Sequence, residues 1–349
     1  MNGKQQINVG VVGLGFMGGT HLAAYQKAVG DGYACRVAAV CDADPARRRG
    51  EFPSAGNLAT GPAPFDIRSV RAYERYEDLL ADDAIDLVDL CTPTDVHVDQ
   101  AIAALRAGKH VLVEKPVALS AEPIRRLADA ARGAGRLCMP AMCMRFWPAW
   151  AWLKQRIDDG RFGKLRALNF QRLGAMPTWS PFFMDVSRSG GASIDLHIHD
   201  CDFAYYCVGR PSAVTSAGHV NHLTTVYHYD EPGLHVTAQG GWLTPGTPFR
   251  MRYVAEFEGA TADFDIGRTP QLLLATGDTK PVDVGEHNGY DGEIRHLLDA
   301  VAAGHGNHQL TATLEQAIDV AIILETEQYA AECGQRVRIT WGVDEPPGH

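Results

Sequence analysis

Apolar positions follow two different rhythms along this chain. Through the first 143 residues, short apolar runs alternate with longer segments whose apolar residues recur at helical spacing. The runs predict strands over Ile7–Val12, Arg36–Cys41, Asp86–Cys91, His110–Glu114 and Leu137–Met142. Helical spacing is clearest from Gln100 to Ala107, closed by Gly108, and over Ile124–Arg132 before Gly133. Such alternation is the mark of a parallel sheet with crossover helices. Between Asp44 and Arg68 the pattern lapses, and Pro45, Pro53, Pro62 and Pro64 predict a loop.

After Trp147-Pro148 a helix is expected to run to Gly160, and then the rhythm changes. Strand patterns follow one another without helices between most of them: Leu165–Arg172, Ala213–His219, Thr225–Tyr229, Leu234–Gly240, Arg250–Glu256 and Ala262–Ile266. Two helices, Asp291–Ala303 and Thr313–Cys333, and a short strand, Val337–Thr340, close the chain. The expected fold class is therefore α/β. A doubly wound parallel sheet occupies residues 1–143, and an α+β domain with a largely antiparallel, open-faced sheet occupies 144–349. Two domains also suit a length of 349 residues, beyond the roughly 250–300 at which single cores stop growing.

Composition narrows the partners. At 46% apolar and 21% charged the chain has the means to fold, and its formal charge of −10 opposes nucleic acid or an anionic membrane as a partner. Arg47-Arg48-Arg49 is too short a basic run to reverse that sign. No apolar run approaches the roughly 20 residues of a membrane span, and the polar start predicts a cytoplasmic protein. Eight cysteines without a Cys-x-x-Cys pair read as reduced, buried thiols rather than a metal site.

Gly13-Leu14-Gly15-Phe16-Met17-Gly18 follows the first strand directly and opens a helical run. In that context Gly13 permits the turn, Gly15 lets backbone approach a pyrophosphate, and Gly18 lets helix and strand touch. Phe16 and Met17 belong to the same cofactor-binding turn. Asp42, at the end of the second strand, is placed to accept from ribose hydroxyls and to repel a 2′-phosphate, which favours NAD and leaves NADP possible through the arginines at 47–49. The loop after Asp44 could cover the adenosine half or be a plain surface insertion.

Ligands of such sheets bind at the carboxyl ends of the strands. Two ends are polar: Thr92-Pro93 followed by His97, and Glu114-Lys115-Pro116. All five residues ahead of that last proline are candidates for the cofactor side, and Lys115 is also placed to polarise a substrate oxygen. In the second half, read as one helix, Asp195, His199, Asp202 and Tyr206 share a stripe beside apolar Ile194, Ile198, Cys201, Tyr205 and Val208. Histidine suits a general base near neutrality, with an acid one turn earlier to orient it. A metal site using His197 or His199 with Asp195, Asp200 and Asp202 competes, but adjacent helix positions diverge, so no metal is expected. A satisfied structural network is the other competing reading.

Together these motifs resemble the Gfo/Idh/MocA oxidoreductases. The resemblance runs over nearly the whole chain: the glycine fingerprint with His21, Thr92-Pro93 and His97, Gly108 through Pro116, Arg145, Gly160 through Lys164, Gly190-Gly191 leading to Asp195 and His199, and Tyr290 with Glu293. It implies a Rossmann domain carrying NAD(P), Lys115 and His199 as a catalytic pair, and Asp195 holding substrate or orienting the histidine. Arg145 and Tyr290 would join Lys115, Asp195 and His199 around a sugar, cyclitol or polyol, oxidised at a hydroxyl-bearing carbon. The open sheet face would serve assembly into a homo-oligomer, a dimer or tetramer, through an apolar remnant. Two alternatives remain, a glycosidase or lyase using NAD for transient oxidation, and a non-catalytic dinucleotide sensor. The 45–66 segment and the extra His197 and Asp200 depart from the family pattern.

Overall fold

The computed structural model describes residues 6–52 and 65–341. Pro53, Pro62 and Pro64 of the expected loop lie outside the described residues. The chain forms two compact units, each built from three stretches: 1–153, 177–189 and 284–317 in the first, and 154–176, 190–283 and 318–349 in the second. Where a single division after residue 143 was expected, the chain crosses back, because 177–189 and the helix Gly289–Ala303 pack with the first unit.

In the first unit, β1 (Ile7–Val12), β2 (Cys35–Cys41), β3 (Arg71–Tyr73), β4 (Leu87–Leu90), β5 (His110–Glu114) and β6 (Cys138–Ala141) form a six-stranded sheet. All its pairings are parallel and the order is β3-β2-β1-β4-β5-β6, the Rossmann order. The strands read as continuous apolar runs because both faces are covered: Val9, Val11, Leu87, Val88, Val111, Leu112 and Val113 are fully buried. Crossover helices Phe16–Gly30, Thr94–Arg106 and Ala121–Ala134 cover them. β3 escaped the sequence pattern because it is a three-residue edge strand with Arg71 and Ala72 exposed. The described part of the expected loop holds a single helical turn, Pro45–Arg48, capped by the Asp44 side chain.

The second unit holds β7 (Leu165–Ala175), β8 (Ala213–His219), β9 (His222–His228), β10 (His235–Leu243), β11 (Arg250–Phe257), β12 (Thr261–Asp265), β13 (Leu272–Ala275), β14 (Thr279–Pro281) and β15 (Val337–Arg338). They form one sheet ordered β14-β13-β12-β11-β7-β10-β9-β8-β15. β7 and β10 run parallel and every other pairing is antiparallel. Alternation sorts the two faces. Leu168, Phe170, Leu223, Tyr227, Val236, Ala238, Met251 and Tyr253 are buried on one face, where Phe170 meets Phe203 of the helix Ile198–Val208 edge-on at 6.1 Å.

The opposite face is not the apolar remnant that was expected. It carries a polar ladder in which Gln171 donates to Gln239 (2.8 Å), Thr237 to Asn169 (2.8 Å), and the Gln239 amide lies 3.1 Å from His222. Val226 and Val254 are half-buried among these groups.

Beneath the buried face lies an ion pair, Arg172 of β7 with Asp200, 2.7 Å apart and at most 3% exposed. Removing one member strands the other charge, so Asp200→Ala should cost about 3–5 kcal/mol. A denaturant titration followed by tryptophan fluorescence is expected to show the midpoint falling accordingly, while loss of under 1 kcal/mol would mean that the arginine finds water or another partner.

Candidate functional site

The turn after β1 is shaped by close backbone contact as well as by hydrogen bonds, the Gly13 N–H donating to the Cys41 carbonyl at 2.8 Å. Gly13 sits at φ +85°, and a Cβ there would lie 2.6 Å from the Cys91 carbonyl oxygen. At Gly18 the backbone of the helix presses on the turn so closely that a Cβ would stand 2.0 Å from the Gly13 oxygen. Gly15, between them, has nothing within 4 Å of where a Cβ would be. It is also the N-cap of Phe16–Gly30, and no side chain caps that helix. The first N–H groups of the helix therefore face open space, a cradle that fits a dinucleotide pyrophosphate.

Asp42 ties this turn to the end of β2. One carboxylate oxygen accepts the Leu14 N–H at 2.7 Å and the other the Asp44 N–H at 2.8 Å. The arginines that could have served a 2′-phosphate are engaged with neighbouring oxygens. Arg47 lies 3.4 Å from Asp42, Arg48 donates to the Asp42 carbonyl and to Glu74, and Arg49 pairs with Glu51. Phe16 and Met17, the first helical residues, are half-buried.

At the ends of β4 and β5 the sequence candidates separate. The Thr92 hydroxyl donates to Gln100 at 2.6 Å, and Pro93 is the N-cap of Thr94–Arg106. The His97 ring, 1% exposed, lies 2.7 Å from the Thr92 carbonyl and 2.9 Å from that of Pro116. Burial, together with the nearby Lys115, lowers its pKa, so a neutral ring donates to one carbonyl at a time and ties the two strand ends together. Glu114 is likewise turned inward: it accepts the Lys115 N–H at 2.9 Å and faces His21 Nε2 at 3.2 Å. Lys115 itself is half-buried at the strand exit.

Behind them lies a group that sequence reasoning left without a role. His21 Nδ1 donates to Asp89 at 2.9 Å, and Glu293 lies 3.7 Å from Nε2. His21, Asp89 and Glu293 are all fully buried. Burial works against charge on His21, but Asp89 and the neighbouring groups outweigh it and lift the ring's pKa well above the ordinary value. Burial lifts the Glu293 pKa too, towards the protonated acid, with Glu114 and Asp89 adding to the effect and His21 opposing it. The available signal was Asp89 itself, a charge inside an otherwise apolar strand, which cannot be buried without a partner.

Arg145 is 3% exposed, and its guanidinium donates to the Thr311 carbonyl and the Gln316 side chain. These bonds are internal to the first unit. Tyr290 is half-buried, its ring 6.1 Å from those of His21 and Trp147.

In the second unit, the helix read across 190–209 is two helices, Ala192–Asp195 and Ile198–Val208. The break falls where the N–H of His197 reaches back five residues to the Ala192 carbonyl. This break corrects the continuous polar stripe. Asp195 and His199 remain half-buried, whereas Asp202 is 1% exposed and Tyr206 lies under Lys154, 5.0 Å from its Nζ. His197 points into the unit, 2.8 Å from Glu327 and 3.4 Å from the Tyr227 hydroxyl. Burial opposes its charge, yet Glu327 holds its pKa above the ordinary imidazole value. Asp200 is spent on Arg172.

A Rossmann sheet with an uncapped glycine turn, in a chain that also holds a mixed-sheet unit, defines a dinucleotide-binding class of protein. Residues 7–142 match the sequence model of the oxidoreductase family with an NAD-binding Rossmann fold, and residues 150–269 match the GFO/IDH/MocA C-terminal domain. The chain belongs to the GFO/IDH/MocA oxidoreductase family, and its cofactor is NAD.

It is 32% identical to an inositol 2-dehydrogenase of Rhizobium meliloti (strain 1021) over 61% of this chain and 59% of that protein. That match thus spans less than two thirds of the relative. It is 27% identical to the scyllo-inositol 2-dehydrogenase (NAD(+)) of Bacillus subtilis (strain 168), over 95% of this chain and 86% of that one. Among solved structures it resembles a levoglucosan dehydrogenase in complex with NADH and levoglucosan, with a TM-score of 0.80 at 22% identity, covering 97% of this chain and 100% of the other. At that identity the likeness concerns the fold.

The two glycines predict opposite outcomes. Gly15→Ala meets no atom, so it should fold with an unchanged melting temperature and bind NADH at least tenfold more weakly. Gly18→Ala collides with backbone and should lower the melting temperature by several degrees. Thermal scans and NADH fluorescence titrations separate the two, and normal NADH affinity in Gly15→Ala would refute the cradle.

Proposed function

We propose that this protein reversibly oxidises a secondary hydroxyl of a sugar, cyclitol or related polyol. The reading is carried by the positions of Asp195, which ends the helix Ala192–Asp195, and His199, in the first turn of Ile198–Val208, both half-buried. Support for the substrate class comes from relatives named inositol 2-dehydrogenase, levoglucosan dehydrogenase and D-glucoside 3-dehydrogenase. NAD supplies the carbon that takes or gives the hydride. His199 takes the hydroxyl proton, the Lys115 ammonium stabilises negative charge growing on the same oxygen, and Asp195 accepts from a neighbouring substrate hydroxyl. His97 and Arg145 contribute by fixing backbone, given the carbonyls they already hold.

The protein works in the cytoplasm and assembles as a homo-oligomer. The first reading is supported by eight cysteines that form no disulfide, and no described helix is long and apolar enough to cross a membrane. The second is supported by the broad polar face of the second unit's sheet, whose hydrogen-bonding side chains would pair with those of another copy. Light scattering at micromolar concentration should give a mass above that of one chain.

His199→Ala should lower kcat by about 10²–10⁴ while leaving the NADH Kd within a factor of three. Lys115→Ala should show a comparable loss, and the double variant should fall well short of additivity. A polyol and sugar panel followed at the NADH absorbance tests both, and His199→Ala turning over at the native rate would remove His199 as the base.

A further inference from the structure

His21 lies one helical turn beyond the glycine turn and reaches none of the groups assigned above to the chemistry. We propose that it is nonetheless a positioning residue for Lys115, acting through Glu114: one Glu114 oxygen faces the imidazole and the other accepts the Lys115 N–H, so the ring sets how the lysine leaves β5. This rests on the reading of Lys115 as the group that meets the substrate oxygen.

Four elements converge on the ring. Asp89 comes from β4 and receives Nδ1–H at 2.9 Å, with Cys91 Sγ 3.5 Å away at the end of the same strand. Glu114 comes from β5 and faces Nε2 at 3.2 Å. Glu293 and Tyr290 come from Gly289–Ala303, the first 3.7 Å from Nε2 and the second with its ring 6.1 Å away. Tyr25, from the histidine's own helix, is buried, and Asp89 helps to push its phenol pKa up. The run is thus Asp89, His21, Glu114, Lys115 N–H, hydrogen-bonded at its two ends and joined in the middle by the 3.2 Å ion-pair contact between His21 Nε2 and Glu114.

Charge decides how this run is held. Three carboxylates around one imidazole cannot all be ionised in a site this dry. Glu293 is the one whose oxygens find no hydrogen bond, and burial lifts its pKa well above that of an ordinary carboxyl. Glu114 moves down, because His21 and Lys115 outweigh its burial. An imidazolium between two carboxylates, with a neutral acid behind, leaves one net negative charge that the Lys115 ammonium balances. If the ring lost its charge, Glu114 would be drawn towards protonation and its grip on the Lys115 N–H would weaken.

Glu293 gives this scheme a pH signature. Below the ordinary carboxyl pKa of 4.5, folded and unfolded chains both hold the proton, so Glu293→Gln should leave stability unchanged. Above it the unfolded chain sheds a proton that the folded chain must keep. Wild type should therefore lose stability relative to Glu293→Gln as pH rises, and the variant should melt higher at pH 8. A role in packing alone would give a difference independent of pH.

The test uses the full-length protein with isotope-labelled histidine and backbone amides. The expected result is that both nitrogens of the His21 ring remain protonated at pH 7.5. His21→Gln should speed exchange of the Lys115 amide hydrogen at least tenfold while the amides of Val111 and Val113 stay protected. Its kcat should fall at least tenfold with the NADH Kd within threefold. A neutral His21 ring, a Lys115 amide unchanged in His21→Gln, or a divalent metal bound one per chain would each overturn the proposal. Should His21→Gln fail to fold, the wild-type ring titration and the pH-dependent melting of Glu293→Gln still decide it. The amide-exchange and ring measurements do not depend on turnover. If Lys115→Ala keeps full activity, the catalytic reading fails while the positioning of Lys115 is judged separately.

Discussion

The approach of one helix to one strand governs the first unit. Because the backbone at Gly18 touches the Gly13 carbonyl, the helix Phe16–Gly30 lies flat against the sheet at the point where strand order reverses between β1 and β4. That closeness puts the helix N-terminus over the strand ends without a capping side chain, and it brings His21, one turn later, down among Asp89, Glu114 and Glu293. Cradle and buried charges have one cause. A helix held even a side chain's width higher would lose both the phosphate geometry and the ion-pair distances.

Sequence patterning was most reliable where burial is symmetric. Ile7–Val12 and His110–Glu114 have the bounds read from the sequence, since a strand covered by the fold has ends set by its own apolar residues; Ala213–His219 keeps its bounds too, although its last three residues are exposed. It failed at edges. β3, β13 and β14 are short, and register with a neighbour, rather than their own pattern, makes them strands. The polar face of the second sheet was also misjudged, because alternation marks a face as different from the core without saying what covers it. Its Gln171 and Gln239 were visible in the sequence, but their meeting across β7 and β10 requires the parallel register of those two strands.

The candidate site was legible in part for a related reason. The glycine turn, Asp42 and Lys115 follow strands of the first sheet, where strand-end rules direct attention, whereas Asp195 and His199 were picked out by helical spacing. Whether a polar side chain there turns outward or inward depends on partners distant in sequence. His97 and Arg145 look like ligand-binding residues until the carbonyls of Pro116 and Thr311 arrive beside them. His197 and His199, two residues apart, part company for the same reason: Glu327, far along the chain, claims the first.

The ends of the second sheet bear on how the protein behaves when crowded. A sheet of nine strands offers two margins of unpaired backbone, and a long flat margin would recruit another chain strand by strand into an insoluble fibre. Here one margin is the exposed three-residue β14, which carries Lys280 and Pro281, and the other is the two-residue β15. A ladder of two or three bonds is too short to template growth, and proline lacks the hydrogen that would continue it. Breadth in this sheet is therefore compatible with solubility at high concentration, and self-association is steered away from its margins.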